Sequence, residues 1–191
     1  MSEILSQVLA ALRERRSVRD FTAEPVTDEE LNSLLEVAAY TPTARNTQAW
    51  HVTVVRGLDK IASLNEAVKK ANQKPGYERY REVTKTASYS INFQKAPVFL
   101  IVGVDREKSV APPEDGALVL GYLMLGAHAL GLGSCWINQL GVITDEPEFR
   151  EYLTSLGFPP SHRIIGCLAL GHRAKLPPVP ERRRDHHNLV S

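Results

Sequence analysis

The chain has 191 residues, 43% hydrophobic and 24% charged, enough for one globular domain with a substantial core. A formal net charge of +1 excludes a polyanion-binding surface spread over the whole molecule, so any anion affinity must be local. The two cysteines, Cys135 and Cys167, form no CxxC pair and no Cys/His ligand spacing; they read as buried core thiols in a reducing, cytoplasmic setting.

Residues 2–14 read as an amphipathic helix, with Ile4, Leu5, Val8, Leu9 and Leu12 on one face. Glu3 comes early and no small-residue cleavage site follows, so this is not a secretory signal. RRSVRDF, residues 15–21, then sets Arg15, Arg16 and Arg19 around Ser17. Cations near a helix C-terminus gain about 0.3–1 kcal/mol, which accounts for one or two of these arginines but poorly for Arg19 as well. Phosphate fits them better, because the planar guanidinium fork matches phosphate oxygens and serine adds a hydroxyl. A second basic group, Arg182–Arg183–Arg184, stands in the tail. The two groups either meet over one dianion, or the second is a solvated charge run.

Thr27 and Glu30 make a capping box for a second helix, whose apolar face is Leu31, Leu34, Leu35, Ala38 and Ala39. It must end before Pro42. PTARNTQAW, residues 42–50, is a polar loop that leads into a strand, WHVTVVR. Residues 58–72 form another helix, with Ile61, Leu64, Val68 and Ala71 inward. Residues 73–90 have no clear period and hold Tyr77, Tyr80 and Tyr89; with Phe93 these aromatic groups either line an acceptor pocket or pack as an ordinary loop.

PVFLIVGV, residues 97–104, is a buried strand. From Gly116 to Thr144 no Asp, Glu, Lys or Arg occurs. A membrane span needs about 20 apolar residues, but glycines, His128, Asn138 and Gln139 interrupt this run. A buried central helix over 114–130 is the expectation, with GLGSCWI turning out of it into an extended segment. A short helix over 145–156 and a strand over 163–170 follow. The tail carries Pro177, Pro178 and Pro180, cannot begin as a packed helix, and is expected to wrap over a neighbour. Without repeats or linkers the chain is a single domain, 1–191, of the α+β class.

No dinucleotide fingerprint exists, because Trp136 stands where the third glycine after Gly131 and Gly133 would be. A mononucleotide with one phosphate remains allowed. His128 reads as a core residue, and the His186–His187 pair makes no metal site; no metal is expected.

RRSVRDF after the first helix, PTARNTQAWHVTVV after the second, the apolar helix running into LGLGSCWI, and the basic tail together resemble the nitroreductase family of FMN-dependent oxidoreductases. The resemblance covers nearly the whole chain. It implies a mixed, mainly antiparallel sheet wrapped by helices, in an intertwined homodimer with two sites at the interface. It implies that Arg15, Arg16, Ser17 and Arg19 grip the FMN phosphate and ribityl chain. Pro42, Thr43, Ala44 and Asn46, with Gln48 nearby, would reach the flavin from the other subunit. Trp136, Ile137, Asn138 and Gln139 would lie along the ring near N5. Arg182 and Arg184 would close on the phosphate, and tail 173–191 would extend over the partner. Thr43-Ala44 replaces the family's commoner pair of serines, Ala49 stands where proline is usual, and Asn138 where some members are acidic. The implied activity is ping-pong: NAD(P)H reduces the non-covalently held flavin by hydride transfer to N5, and an electron-poor acceptor such as a nitroaromatic or quinone then takes the hydride. Catalysis would need no side-chain nucleophile, and neither nucleic acid nor membrane is an expected partner. Reductive dehalogenation, ene-type reduction and non-catalytic FMN binding stay open on the same residues.

Overall fold

A computed structural model of the chain describes residues 3–78, 96–183 and 185–190. Tyr80, Tyr89, Phe93 and Arg184 lie outside the described residues.

The elements are α1 (Glu3–Glu14), α2 (Asp28–Ala39), a single 3₁₀ turn (Ala44–Asn46), β1 (Trp50–Arg56), α3 (Leu58–Asn72) and β2 (Val98–Asp105). They continue with α4 (Pro112–Ala129), β3 (Leu132–Ile137), α5 (Gln139–Val142), α6 (Pro147–Ser155) and β4 (His162–His172). The capping box forms as expected: Thr27 accepts from the Glu30 N–H, and the Glu30 carboxylate accepts from the Thr27 N–H. Helix α4 starts two residues before the expected Glu114, at Pro112, where a missing N–H costs nothing.

The sheet is antiparallel throughout, in the order β1-β2-β4-β3. Strand β2 is buried along its whole length, which explains why its sequence is continuously apolar rather than alternating. Phe99 and Ile101 point into one core with Ile61, Leu64 and Val68 of α3 and Phe149 and Leu153 of α6. Val98, Leu100 and Val102 point into a second core with Leu31, Leu34 and Ala38 of α2 and Val119, Leu120 and Leu123 of α4. The fold is therefore a sheet with helices on both faces. Cys135 and Cys167 are buried free thiols, as expected, and burial pushes both thiol pKa values up.

Two helices differ from their expected environment. Helix α4 is buried on only one face; Leu118 is 44% exposed, and Tyr122 and Leu125 are half-buried. On α1, Ile4, Val8 and Leu12 are exposed. Both apolar stripes exceed what one copy of the chain covers. Among the described residues no helix is long and apolar enough to cross a membrane.

The sheet bends at β4. Val102 pairs with Gly166 and Gly103 with Ile164, so Ile165 is the extra residue of a bulge. Gly166 sits under the Trp136 indole: a Cβ there would lie 2.6 Å from Trp136 Nε1 and 2.8 Å from Leu120 Cδ1. Gly166→Ala should therefore destabilise the protein by about 1–3 kcal/mol through overpacking, read as a lower urea midpoint, and should shift the Trp136 emission.

Candidate functional site

After α1 the chain joins the outer edge of the sheet. Ser17 and Ser134 of β3 form an isolated parallel bridge, and the Val18 N–H donates to the Ser134 carbonyl at 2.9 Å. Val18, 2% exposed, and Phe21 enter the core, while Arg19 stays exposed. The tail returns alongside: Arg173 bridges Phe21, and the Ala174 N–H donates to the Asp20 carbonyl at 3.0 Å. From there Pro177, Pro178, Pro180 and Arg182 pass over Arg15, Arg16, Ser17 and Arg19, and the eight residues enclose an open cavity of about 390 Å³. Among the described residues no carboxylate lines it.

Four guanidinium groups thus converge with no carboxylate among the described lining residues. Arg16, 6% exposed, donates through Nη1 to the carbonyls of Arg13 (2.6 Å) and Arg15 (2.7 Å), satisfying acceptors left over at the end of α1. Its Nε, and Nη1 of Arg15, are buried without a hydrogen-bond partner. A buried unsatisfied donor costs about 1–3 kcal/mol, and no acceptor among the described residues meets these two. The cationic field reaches outward. Burial is the main cause of the lowered His128 pKa, and Arg173, Arg15 and Arg16 push it the same way. For Cys135, burial raises the pKa while Arg19 and Arg15 oppose it.

The loop over 42–48 is a second feature. Arg45, Asn46 and Gln48 all have left-handed backbone, with φ of 53°, 53° and 48°. Non-glycine residues adopt this conformation at a cost and hold it only when their surroundings enforce it. Asp115 on the first turn of α4 supplies the enforcement. It is 2% exposed; Oδ1 accepts the Ala44 N–H at 2.7 Å and Oδ2 accepts the Ser109 hydroxyl at 2.6 Å. Thr43 Oγ1 accepts the Gln48 N–H at 3.0 Å, and the Gln48 amide donates to Asn46 Oδ1 at 3.1 Å. Pro42, Asn46 and Gln48 are exposed, and Thr43 and Ala44 half-buried, so the loop presents polar groups outward from a fixed base.

The third feature is the segment after β3. Trp136 is half-buried, with an unpaired Nε1–H, and Ile137 is buried in the core. Asn138 is exposed and its carbonyl accepts the Gly141 N–H at 3.2 Å. Gln139 is buried, and its side-chain amide nitrogen lacks a partner. Asn138 also lines a cavity of about 330 Å³ with Pro113, Gly141, Val142, Arg163, Ile164 and Ile165.

The fold brings Arg15, Arg16, Ser17, Arg19 and Arg182 to one cavity, and β3 links that cavity to Trp136 and Ile137 through Ser134. It does not bring residues 42–48 to the same cavity within one chain. Tyr77 lines neither of these cavities. It packs against the core near Glu146, and burial, then the Glu146 carboxylate, push its phenol pKa up. Sequence reasoning missed Asp115 and Ser109, which build the 42–48 loop, and Arg163. The available signal was a pair of acids, Glu114 and Asp115, at the head of an otherwise uncharged helix.

Removing the Asp115 charge should loosen the loop without touching the arginines. Asp115→Ala should lower stability by about 1–3 kcal/mol, by leaving the Ala44 N–H and Ser109 hydroxyl unsatisfied, and should speed tryptic cleavage after exposed Arg45. Unfolding curves and a timed digest would measure both.

The chain is similar to known proteins over most of its length. A nitroreductase of Bacteroides fragilis NCTC 9343, solved with bound FMN, superposes with a TM-score of 0.88 at 35% identity, covering 100% of each chain. An NADH dehydrogenase of Thermus thermophilus is 31% identical over 90% of this chain and 89% of its own length. A 4-nitrobenzoate reductase of a Nocardioides species is 26% identical over 89% of this chain and 82% of its own. The description "Nitroreductase family" matches residues 12–172, and with that match over most of its length the chain belongs to the nitroreductase family.

Proposed function

We propose that the chain is an NAD(P)H-dependent oxidoreductase that holds FMN in the arginine cavity and reduces electron-poor acceptors such as nitroaromatics and quinones. One observation carries the reading: Arg15, Arg16, Ser17 and Arg19 meet Arg182 of the tail at one cavity, with buried donors that have no acceptor. A phosphate dianion supplies both the missing charge and the missing lone pairs. The FMN-bound B. fragilis relative, alike over its full length, supports that identity for the anion.

The residues divide the work. Arg15 and Arg19 present guanidinium groups to the phosphate, Arg19 giving up only a long 3.5 Å contact to the Ser17 carbonyl; Ser17 adds a hydroxyl, and Arg182 closes the cavity from the tail. Arg16 shapes the turn by tying down the end of α1, so its contribution is partly structural. The segment from Trp136 to Gln139 borders the ring and offers backbone N–H groups to its heteroatoms. Bound FMN supplies two-electron chemistry that no side chain of this chain offers. The protein's part is to bind, orient and shield it.

The functional unit is a homodimer. Exposed Ile4, Val8 and Leu12 on α1 and the half-exposed face of α4 are the apolar surface that a second copy would cover. Residues 42–48, rigid and polar but away from the arginine cavity of their own chain, complete the site of the partner.

Two experiments test this. Arg15→Ala with Arg19→Ala removes two charge-assisted partners, at about 1.5–3 kcal/mol each, so FMN affinity should fall at least about 100-fold while the far-ultraviolet circular dichroism stays unchanged. A double variant that purifies fully yellow would overturn the phosphate assignment. Deleting residues 173–191 removes the strap that carries Arg182; light scattering should show a weaker dimer and absorbance a lower flavin content. A truncated protein that stays dimeric and yellow sinks the strap.

A further inference from the structure

The cavity beside Asn138 is separate from the arginine cavity, and its chemistry is different. Five of its seven lining residues, Pro113, Gly141, Val142, Ile164 and Ile165, are apolar or glycine. The two polar ones are Asn138 and Arg163. At about 330 Å³ it is at the small end of ligand sites, with room for a single aromatic ring but not for a dinucleotide.

Arg163 is the uncommitted cation of this region. Arg150 donates to the His162 carbonyl at 2.7 Å and to Asp145 at 3.1 Å, and Arg106 also pairs with Asp145. Its backbone pairs with Val104 in the sheet, but no hydrogen bond or ion pair joins the Arg163 guanidinium to a described residue. Its position follows from the β4 bulge: the extra residue, Ile165, packs against Gly116 of α4, where a Cβ would lie 2.4 Å from Ile165 Cγ1. The bulge thus anchors this stretch of β4 to the head of α4 and leaves Arg163, two residues earlier, on the cavity wall.

We propose that this cavity is an acceptor subsite for a single-ring aromatic carboxylate, with Arg163 binding the carboxylate, Asn138 hydrogen-bonding a polar ring substituent, and the apolar wall holding the ring. The proposal rests on the flavin reading, because it is the assignment of residues 136–139 to the ring's border that makes Asn138 a neighbour of the reacting centre. A guanidinium fork matches a carboxylate with two parallel hydrogen bonds, and a neutral analogue forfeits both. The subsite therefore sets a preference among acceptors and leaves the chemistry to the cofactor.

The test uses the FMN-loaded enzyme with NADH or NADPH and two acceptors of matched shape, 4-nitrobenzoate and 4-nitrobenzamide. In Arg163→Gln the KM for 4-nitrobenzoate should rise about 10- to 100-fold, with 4-nitrobenzamide changed less than about 2-fold. Arg163→Lys should restore part of the difference, since charge returns without the fork. Flavin content, the rate of flavin bleaching by the reductant, and the KM for NADH and NADPH should stay as in the parent. An equal change for both acceptors, or a parent enzyme that does not favour the carboxylate, overturns the subsite and leaves the flavin reading standing. A rise in KM for NADPH alone overturns it too, by assigning Arg163 to the reductant's phosphate. A parent protein that binds no FMN overturns both readings together.

Discussion

Like charges do not gather unless something holds them, and four guanidinium groups around one cavity are the constraint on which the rest of this structure turns. Three come from one turn of chain at the end of α1 and the fourth from the tail, more than 160 residues later in sequence. Two backbone attachments oppose the repulsion: Ser17 bridged to Ser134, and Arg173 with Ala174 bound back to Phe21 and Asp20. Val18 and Phe21 lock that stretch from below by entering the core. The fold thus supplies the cost of assembling the cations in advance, from apolar burial and sheet pairing. An incoming dianion meets donors already oriented, which is how preorganisation raises affinity.

The interior explains where the site can be. Strand β2 is sandwiched between two cores, so the centre of the sheet has no room for a ligand. The cavities and the exposed polar loop lie instead at the edge strand β3, ahead of β1, and at the bulged stretch of β4. Glycines mark two of the close approaches: Gly166 under Trp136, and Gly116 against Ile165. In both places a side chain would push apart elements that border a cavity, so packing and site geometry are one problem here.

Much of this was legible in the sequence. The capping box of Thr27 and Glu30, the helix over 58–72, and the continuously apolar β2 follow from local rules, and local rules decided them. The arginine cluster was legible because its repulsion demands a partner. The environments of α1 and α4 were not. Periodicity shows that a face is apolar, but not whether this chain or another covers it, and Ile4, Val8, Leu12 and Leu118 remain exposed. Asp115 was hidden for a related reason. An acid in a first helical turn ordinarily interacts with the helix dipole, and only the three-dimensional approach of Ala44 and Ser109 gives it another task.

Asp115 joins the features that sequence reasoning treated separately. Its carboxylate stands at the head of α4, the helix whose outer face is left apolar, and it holds the loop whose residues lie away from their own chain's arginines. One buried charge therefore couples the surface available for a second copy to the conformation of the segment that a second copy would receive. Left-handed backbone at Arg45, Asn46 and Gln48 is tolerable only while that anchor holds. If dimerisation moves the head of α4 even slightly, the loop must follow, because both oxygens of Asp115 are already engaged. On the proposed dimeric reading, assembly and site formation would be a single event, and a folded monomer would hold the arginine cluster without the loop of a second copy.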